Sequence, residues 1–162
     1  MDSLAPTAER IAGLLRSRGE TVAVAESSTG GLIAASLLAI PGASDYFLGA
    51  AVVYTVSARA GLLAITPDDM QGFRAASEPY ARLLAERARD RLGAVWGLSE
   101  TGAAGPTGNR YGDSAGHSCI AVSGPHSRVL TLETASTDRR GNMRIFALRA
   151  LTALAEAIES AR

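Results

Sequence analysis

The chain contains no lysine: all sixteen of its basic residues are arginines. No side-chain amine is therefore available as a base near neutral pH, and an arginine, with a pKa above about 12, cannot take that role. Cysteine is almost absent too, and a lone Cys119 forms no internal disulfide. Two histidines and one cysteine fall short of a structural zinc set, so no metal site is expected. Sixteen acids balance the sixteen arginines, and without a basic field nucleic acid is not an expected partner. No apolar run approaches the roughly 20 residues of a membrane span, and the N-terminal MDSLAPTAERIAG lacks the basic start and apolar core of a signal peptide. A reducing, cytoplasmic setting and no membrane partner are the expectations.

What is present is globular composition, 47% apolar and 20% charged in 162 residues, enough for one compact domain spanning 1–162. Helical spacing over Leu4–Arg18 predicts a first helix ending before Gly19. Thr21–Ala25 reads as a strand, followed by the polar turn Glu26–Gly31 and a helix over Leu32–Ala39. Pro41-Gly42 stops that helix, and Ala50–Tyr54 reads as a second strand. Thr66-Pro67-Asp68-Asp69 carries the marks of a helix start. Ser77-Glu78-Pro79 opens a long helix whose Leu83, Leu84, Ala88 and Leu92 form an apolar stripe. Ala94–Thr101 is extended. Five glycines and one proline between Gly102 and Gly116 predict a long loop. His117–Ser123 and Arg128–Thr134 form a hairpin, and a last helix over Arg140–Ser160 is expected to bury Ile145, Leu148, Leu151, Leu154 and Ile158. Early strand-helix alternation with a late hairpin gives an α/β fold: a single layered domain with a mixed β-sheet flanked by helices.

Sites in such folds are built from loops at strand ends, and three segments qualify. Glu26-Ser27-Ser28-Thr29-Gly30-Gly31 places hydroxyls and backbone amides at a helix N-terminus. It either attracts an anion such as phosphate or simply caps the helix, and it matches neither a Walker loop nor a dinucleotide fingerprint. Gly102 to Gly108, after a strand carrying Ser99, Glu100 and Thr101, either cradles an oxyanion or connects. Ser44, beside Asp45 and ahead of Tyr54, is by itself a turn residue. His117 and His126 invite a Ser-His-Asp arrangement, but no nucleophile elbow accompanies them.

Across these segments the sequence resembles the C-terminal domain of the CinA (competence- and damage-inducible protein) family. The likeness rests on Ala25-Glu26-Ser27-Ser28-Thr29-Gly30-Gly31, Ile40-Pro41-Gly42-Ala43-Ser44-Asp45-Tyr46-Phe47, Val53-Tyr54-Thr55, Ala76-Ser77-Glu78, Thr101-Gly102-Ala103-Ala104-Gly105-Pro106 and Asp138-Arg139. The resemblance implies an α/β domain that hydrolyses the carboxamide of nicotinamide mononucleotide to nicotinate mononucleotide and ammonia, without metal or other cofactor. It implies Ser44 as nucleophile, Tyr54 beside it, and Thr101 as a further hydroxyl. Glu26 to Gly31 and Gly102 to Pro106, Gly105 included, would shape the nucleotide pocket. Arg110 and Tyr111 are expected ligand contacts because the glycine-rich loop should lie over it. A homodimer or higher homo-oligomer is implied as well.

One departure bears on mechanism. Where the family carries a lysine five residues after the tyrosine, this chain has Arg59, and no other lysine substitutes. Either Arg59 favours the Tyr54 phenolate, which then takes the Ser44 proton, or the domain is a non-catalytic nucleotide-binding module in which Arg59 clamps a phosphate or carboxylate.

Overall fold

The computed structural model describes residues 2–161. Five strands, β1 (Val22–Glu26), β2 (Phe47–Val52), β3 (Trp96–Ala103), β4 (His117–Ser123) and β5 (Arg128–Glu133), form one sheet in the order β2-β1-β3-β4-β5. β2, β1 and β3 are parallel; β3-β4 and β4-β5 are antiparallel. The helices are α1 (Ala5–Arg18), α2 (Leu32–Leu38), α3 (Val56–Leu63), α4 (Glu78–Leu92) and α5 (Arg139–Ser160). α1, α2 and α5 share one apolar core with the sheet, and α3 and α4 cover the other face. This is the expected layered α/β domain with a mixed sheet.

The central strands β1 and β4 are buried throughout because they are covered on both faces. α1 and α4 both end at a glycine in the left-handed conformation, Gly19 and Gly93. Ser77 caps α4 by accepting the Tyr80 N–H.

Several expectations shift. The second strand runs over Phe47–Val52, earlier than Ala50–Tyr54, because Phe47 already pairs with Val22. A helix that periodicity did not mark, α3, follows at once, capped by Thr55 accepting the Ala58 N–H. At Thr66 the cap forms, with Thr66 and Asp69 bonding reciprocally, but only one 3-10 turn follows before Gln71-Gly72. In α5, Ile145 and Leu148 are exposed, and Phe146, Ala147 and Ala150 are buried in their place beside Leu151, Leu154 and Ile158. In α4, Leu92 is exposed, and the inward stripe is Tyr80, Leu84 and Ala88, spaced by one helical turn.

The two crossovers out of β1 and β2 leave on opposite faces, α2 on one and α3 and α4 on the other. The carboxyl end of β1 therefore lies where strand order reverses, the usual place for a ligand crevice in an open α/β sheet.

Candidate functional site

At that point the carboxyl ends of three parallel strands converge. Ser27 follows β1, Tyr54 follows β2, and Thr101 and Gly102 end β3. Together with Arg59 of α3, Tyr80 of α4, and Asn109, Arg110 and Tyr111 of the long loop they line a cleft of about 230 Å³. The lining contains two arginines and three tyrosines and no acidic residue. Gly102 is required by close approach: a Cβ there would stand 2.2 Å from the His117 carbonyl oxygen on the neighbouring strand.

The Glu26–Gly31 turn is not an open anion cradle. Its Ser27, Thr29 and Gly31 amides are taken by two buried carboxyl groups. Glu26 accepts the N–H groups of Gly31 (2.9 Å), Ile33 (3.1 Å) and Ala34 (2.8 Å), so the α2 N-terminus is satisfied from within the chain. Glu100 of β3 accepts the Thr29 N–H at 2.9 Å and the Ser27 N–H at 3.4 Å. The Ser28 hydroxyl donates to Glu100, and the Thr29 hydroxyl lies against both carboxyls. Glu26, Ser28, Thr29, Gly30 and Gly31 therefore build the wall, and Ser27 is the residue of the turn that lines the cleft. Gly105 likewise stays in the frame, with its carbonyl accepting from Arg139 at 2.5 Å.

Ser44 is not in this cleft. It sits on an exposed 3-10 turn, Ala43–Asp45, before β2, and Tyr54 comes after β2. Phe47 to Val52 alone spans about 17 Å at 3.3 Å per residue, so the two hydroxyls occupy opposite ends of the sheet. Buried Tyr46, donating to the Leu37 carbonyl at 2.5 Å, and Arg16, donating to the Pro41 carbonyl, anchor the turn there.

Arg59 also differs from expectation. Its guanidinium stacks over the ring of Tyr80, 5.5 Å from the centroid. Burial pushes the Tyr80 phenol up, and Arg59 pulls it the other way. The guanidinium that reaches Tyr54 belongs to Arg139, whose Nη2 donates to the Tyr54 oxygen at 3.3 Å. Tyr80, Glu100, Arg139 and Asn142 are the residues that the sequence reading left out of the site. Asn142 is fully buried and donates to the carbonyls of Ala104 (2.8 Å) and Ser136 (2.7 Å), tying α5 to the loop after β3.

The long loop is strapped down over the cleft. Asp113 accepts two bonds from Arg74, at 2.6 and 2.8 Å, and one from Asn109 at 2.7 Å. Arg74 holds the Asp113 carboxyl below the usual carboxylate range. Arg74 and Arg110 each stand 5.1 Å from the Tyr111 ring centroid. His117 lies beneath, with Nδ1 against Glu133 and Nε2 2.9 Å from the Ala76 carbonyl. Burial works against its charge, but Glu133, Ala76 and Asp113 outweigh that, and its pKa is raised. Burial pushes the neighbouring Cys119 thiol up. His126 is exposed on the β4-β5 turn, remote from the cleft lining. Among the described residues, no three His, Cys, Asp or Glu side chains group as a metal site, and no helix is long and apolar enough to cross a membrane.

The family described as CinA C-terminal domain matches residues 4–158. A CinA-like protein of Prochlorococcus marinus (strain MIT 9313) is 48% identical over 113 residues, 70% of this chain and 26% of that protein. A CinA-like protein of Trichormus variabilis is 40% identical over 153 residues, 94% of this chain and 36% of its own length. The chain thus spans only about a quarter to a third of these relatives. The crystal structure of competence/damage inducible protein CihA from Agrobacterium tumefaciens superposes with a TM-score of 0.86 at 29% identity, covering 97% of this chain and 96% of that one. Competence damage-inducible protein A of Klebsiella pneumoniae shares the fold, with a TM-score of 0.91 at 24% identity, covering 98% and 99%.

Proposed function

Because this chain belongs to the family of CinA C-terminal domains, we propose that its cleft hydrolyses the carboxamide of nicotinamide mononucleotide, with Ser27 rather than Ser44 as the nucleophile. The observation that carries this reading is the lining: a half-buried hydroxyl on a turn held by two carboxyls, among arginines and tyrosines, with no acid facing in. A flat ring is accommodated by tyrosine faces, and an anionic phosphate by Arg59 and Arg110. The Ser27 oxygen attacks the carboxamide carbon, and the carbon–nitrogen bond breaks. Ammonia leaves with the proton that the hydroxyl gave up, and water then releases the carboxylate. Tyr54, a phenol of the same lining, carries that proton in this reading, and Thr101 offers a second hydroxyl.

Purified protein supplied with nicotinamide mononucleotide is expected to release ammonia. Ser27→Ala should abolish release, and Ser44→Ala, at the opposite end of β2, should retain it. Loss with Ser44→Ala and retention with Ser27→Ala would refute the assignment.

The stacking of Arg59 on Tyr80 favours a second reading, a nucleotide-binding module without turnover. Saturable binding by calorimetry with no ammonia formed would decide for it. Self-association belongs to the same proposal: β2 is an edge strand that carries no charge and exposes Leu48 and Val52, where unpaired edges are ordinarily protected by charge. A cytoplasmic location completes the reading.

A further inference from the structure

Behind Ser27 lie two carboxyl groups, Glu26 and Glu100, each fully buried. Among the described residues neither has an arginine or histidine partner; the ion pairs all lie elsewhere. A single hydroxyl separates them, the Thr29 Oγ1 lying 2.7 Å from Glu26 Oε2 and 3.1 Å from Glu100 Oε2. That hydroxyl has one hydrogen and can give it to only one carboxylate. The other oxygen–oxygen contact is a hydrogen bond only when the second carboxyl supplies its own hydrogen. Ionising both would set two like charges on either side of one hydroxyl in a buried setting with no cationic partner, which is strongly disfavoured.

The donors decide which one keeps the proton. Glu26 receives three backbone N–H groups at the α2 N-terminus, a fixed arrangement that suits a negative charge. Glu100 faces mainly hydroxyls, Ser28, Thr29 and Ser118 at 3.1 Å, which can turn to accept as readily as to donate. Its two backbone contacts are Thr29 N–H and the longer Ser27 N–H. We propose that Glu100 is a neutral carboxylic acid in the folded protein at neutral pH, donating to Thr29 and positioning the Ser27–Thr29 turn. It rests on the amide-hydrolysis reading only in naming Ser27 as the nucleophile.

The arrangement has a chemical use. Glu100 directly precedes Thr101, and an ionised carboxyl there would set a negative charge behind a hydroxyl that must attack and an oxyanion that must form. Keeping the proton removes that repulsion while retaining every hydrogen bond that orients the turn. Burial pushes the Glu100 carboxyl up, with the Ser28, Thr29 and Ser118 contacts opposing. The groups that face it are Glu26 from β1, Ser27 to Thr29 from the turn and Ser118 from β4, and Glu26 is the one other carboxyl among them.

The test is linkage between protonation and folding. A carboxyl with an ordinary value of 4.5 when unfolded and protonated when folded must take up a proton on folding. Stability from the protonated form is complete below that pH and is lost progressively as pH rises toward the folded value. Glu100→Gln keeps the shape without the proton. The ratio of its folding constant to that of the unaltered protein should therefore rise about tenfold per pH unit above about 4.5. Infrared spectra of the unaltered protein at pH 7 should independently show the C=O stretch of a protonated carboxylic acid, which needs no variant to fold. A ratio flat with pH, or no such band, overturns the proposal. Neither measurement uses substrate, so absence of ammonia release beside an intact band would refute the hydrolase reading and leave this one standing.

Discussion

Replacing Asn142 with alanine tests whether α5 holds the cleft's rear wall. The Asn142 amide makes three side-chain bonds in a fully buried position. It donates to Ala104 O and Ser136 O at 2.8 and 2.7 Å, and accepts from the Thr134 hydroxyl at 2.6 Å. Each such bond is worth about 1 kcal/mol net, and a buried carbonyl left without a donor costs about 1–3 kcal/mol more. Ala104 O is the acceptor that water cannot reach, since Ala104 is 2% exposed. The sum is about 4–6 kcal/mol, a large part of the roughly 5–15 kcal/mol that holds a domain together. For a chain of this size that lowers Tm by about 8–24 °C. Urea unfolding followed by circular dichroism measures it, and amide exchange at Ala104 to Gly116 shows whether the loosening starts in the loop. A loss below about 1 kcal/mol would refute the reasoning, because it would mean that water or a neighbour replaces the Asn142 donor at no cost.

Two further outcomes are expected. Arg139→Lys cannot span Gly105 O and Tyr54 Oη at once, so it should lower kcat for nicotinamide mononucleotide about tenfold, the order of one charge-assisted bond, while KM and unfolding in urea change little; an unchanged kcat would detach Arg139 from the reaction. His117 has a raised pKa in the fold, so its stabilising contribution is complete below about 6.5 and is lost as pH rises through the folded value. Amide-exchange protection in the Asn109–Asp113 segment, taken relative to the intrinsic base-catalysed rate, should fall over that rise, and His117→Gln should make the protection independent of pH; an equal fall in both proteins would place the switch elsewhere.

Most of the fold was readable because hydrophobic spacing and glycine or proline stops act locally. α1, α4 and the β4-β5 hairpin needed nothing more. α3 escaped because its eight residues bury only Leu63, too little for a periodic stripe. The alternation that revealed the fold also contained the position of Ser44. A residue between a helix and the next parallel strand lies at the amino edge, opposite to a turn that leaves a strand for a helix. Family resemblance drew attention to Ser44 and strand order placed it away from Ser27. Glu100 left a trace as the one acid within the strand Trp96–Ala103, and Asn142 as a polar residue on the stripe shared with Phe146 and Ala150. What both bind is set by tertiary packing, which no spacing encodes.

The lack of lysine narrows the chemistry to a single proton. An arginine, unlike a lysine, offers no neutral amine to take hydrogen from Ser27, so the part left to Arg59 is holding an anion. Arg59 stands over the Tyr80 ring, 5.5 Å from the centroid, and lines the cleft. Tyr54 is different: its oxygen already accepts from Arg139, so its own hydrogen is directed elsewhere and its remaining lone pair is available. In the proposed reading binding rests on Arg59 and Arg110, both of which line the cleft. Turnover requires in addition that a phenol exchange a proton with a serine whose turn is held by Glu100. In that proposed reading Arg139, by orienting the phenol, is the cation on which turnover depends, and Arg59 the one on which affinity depends.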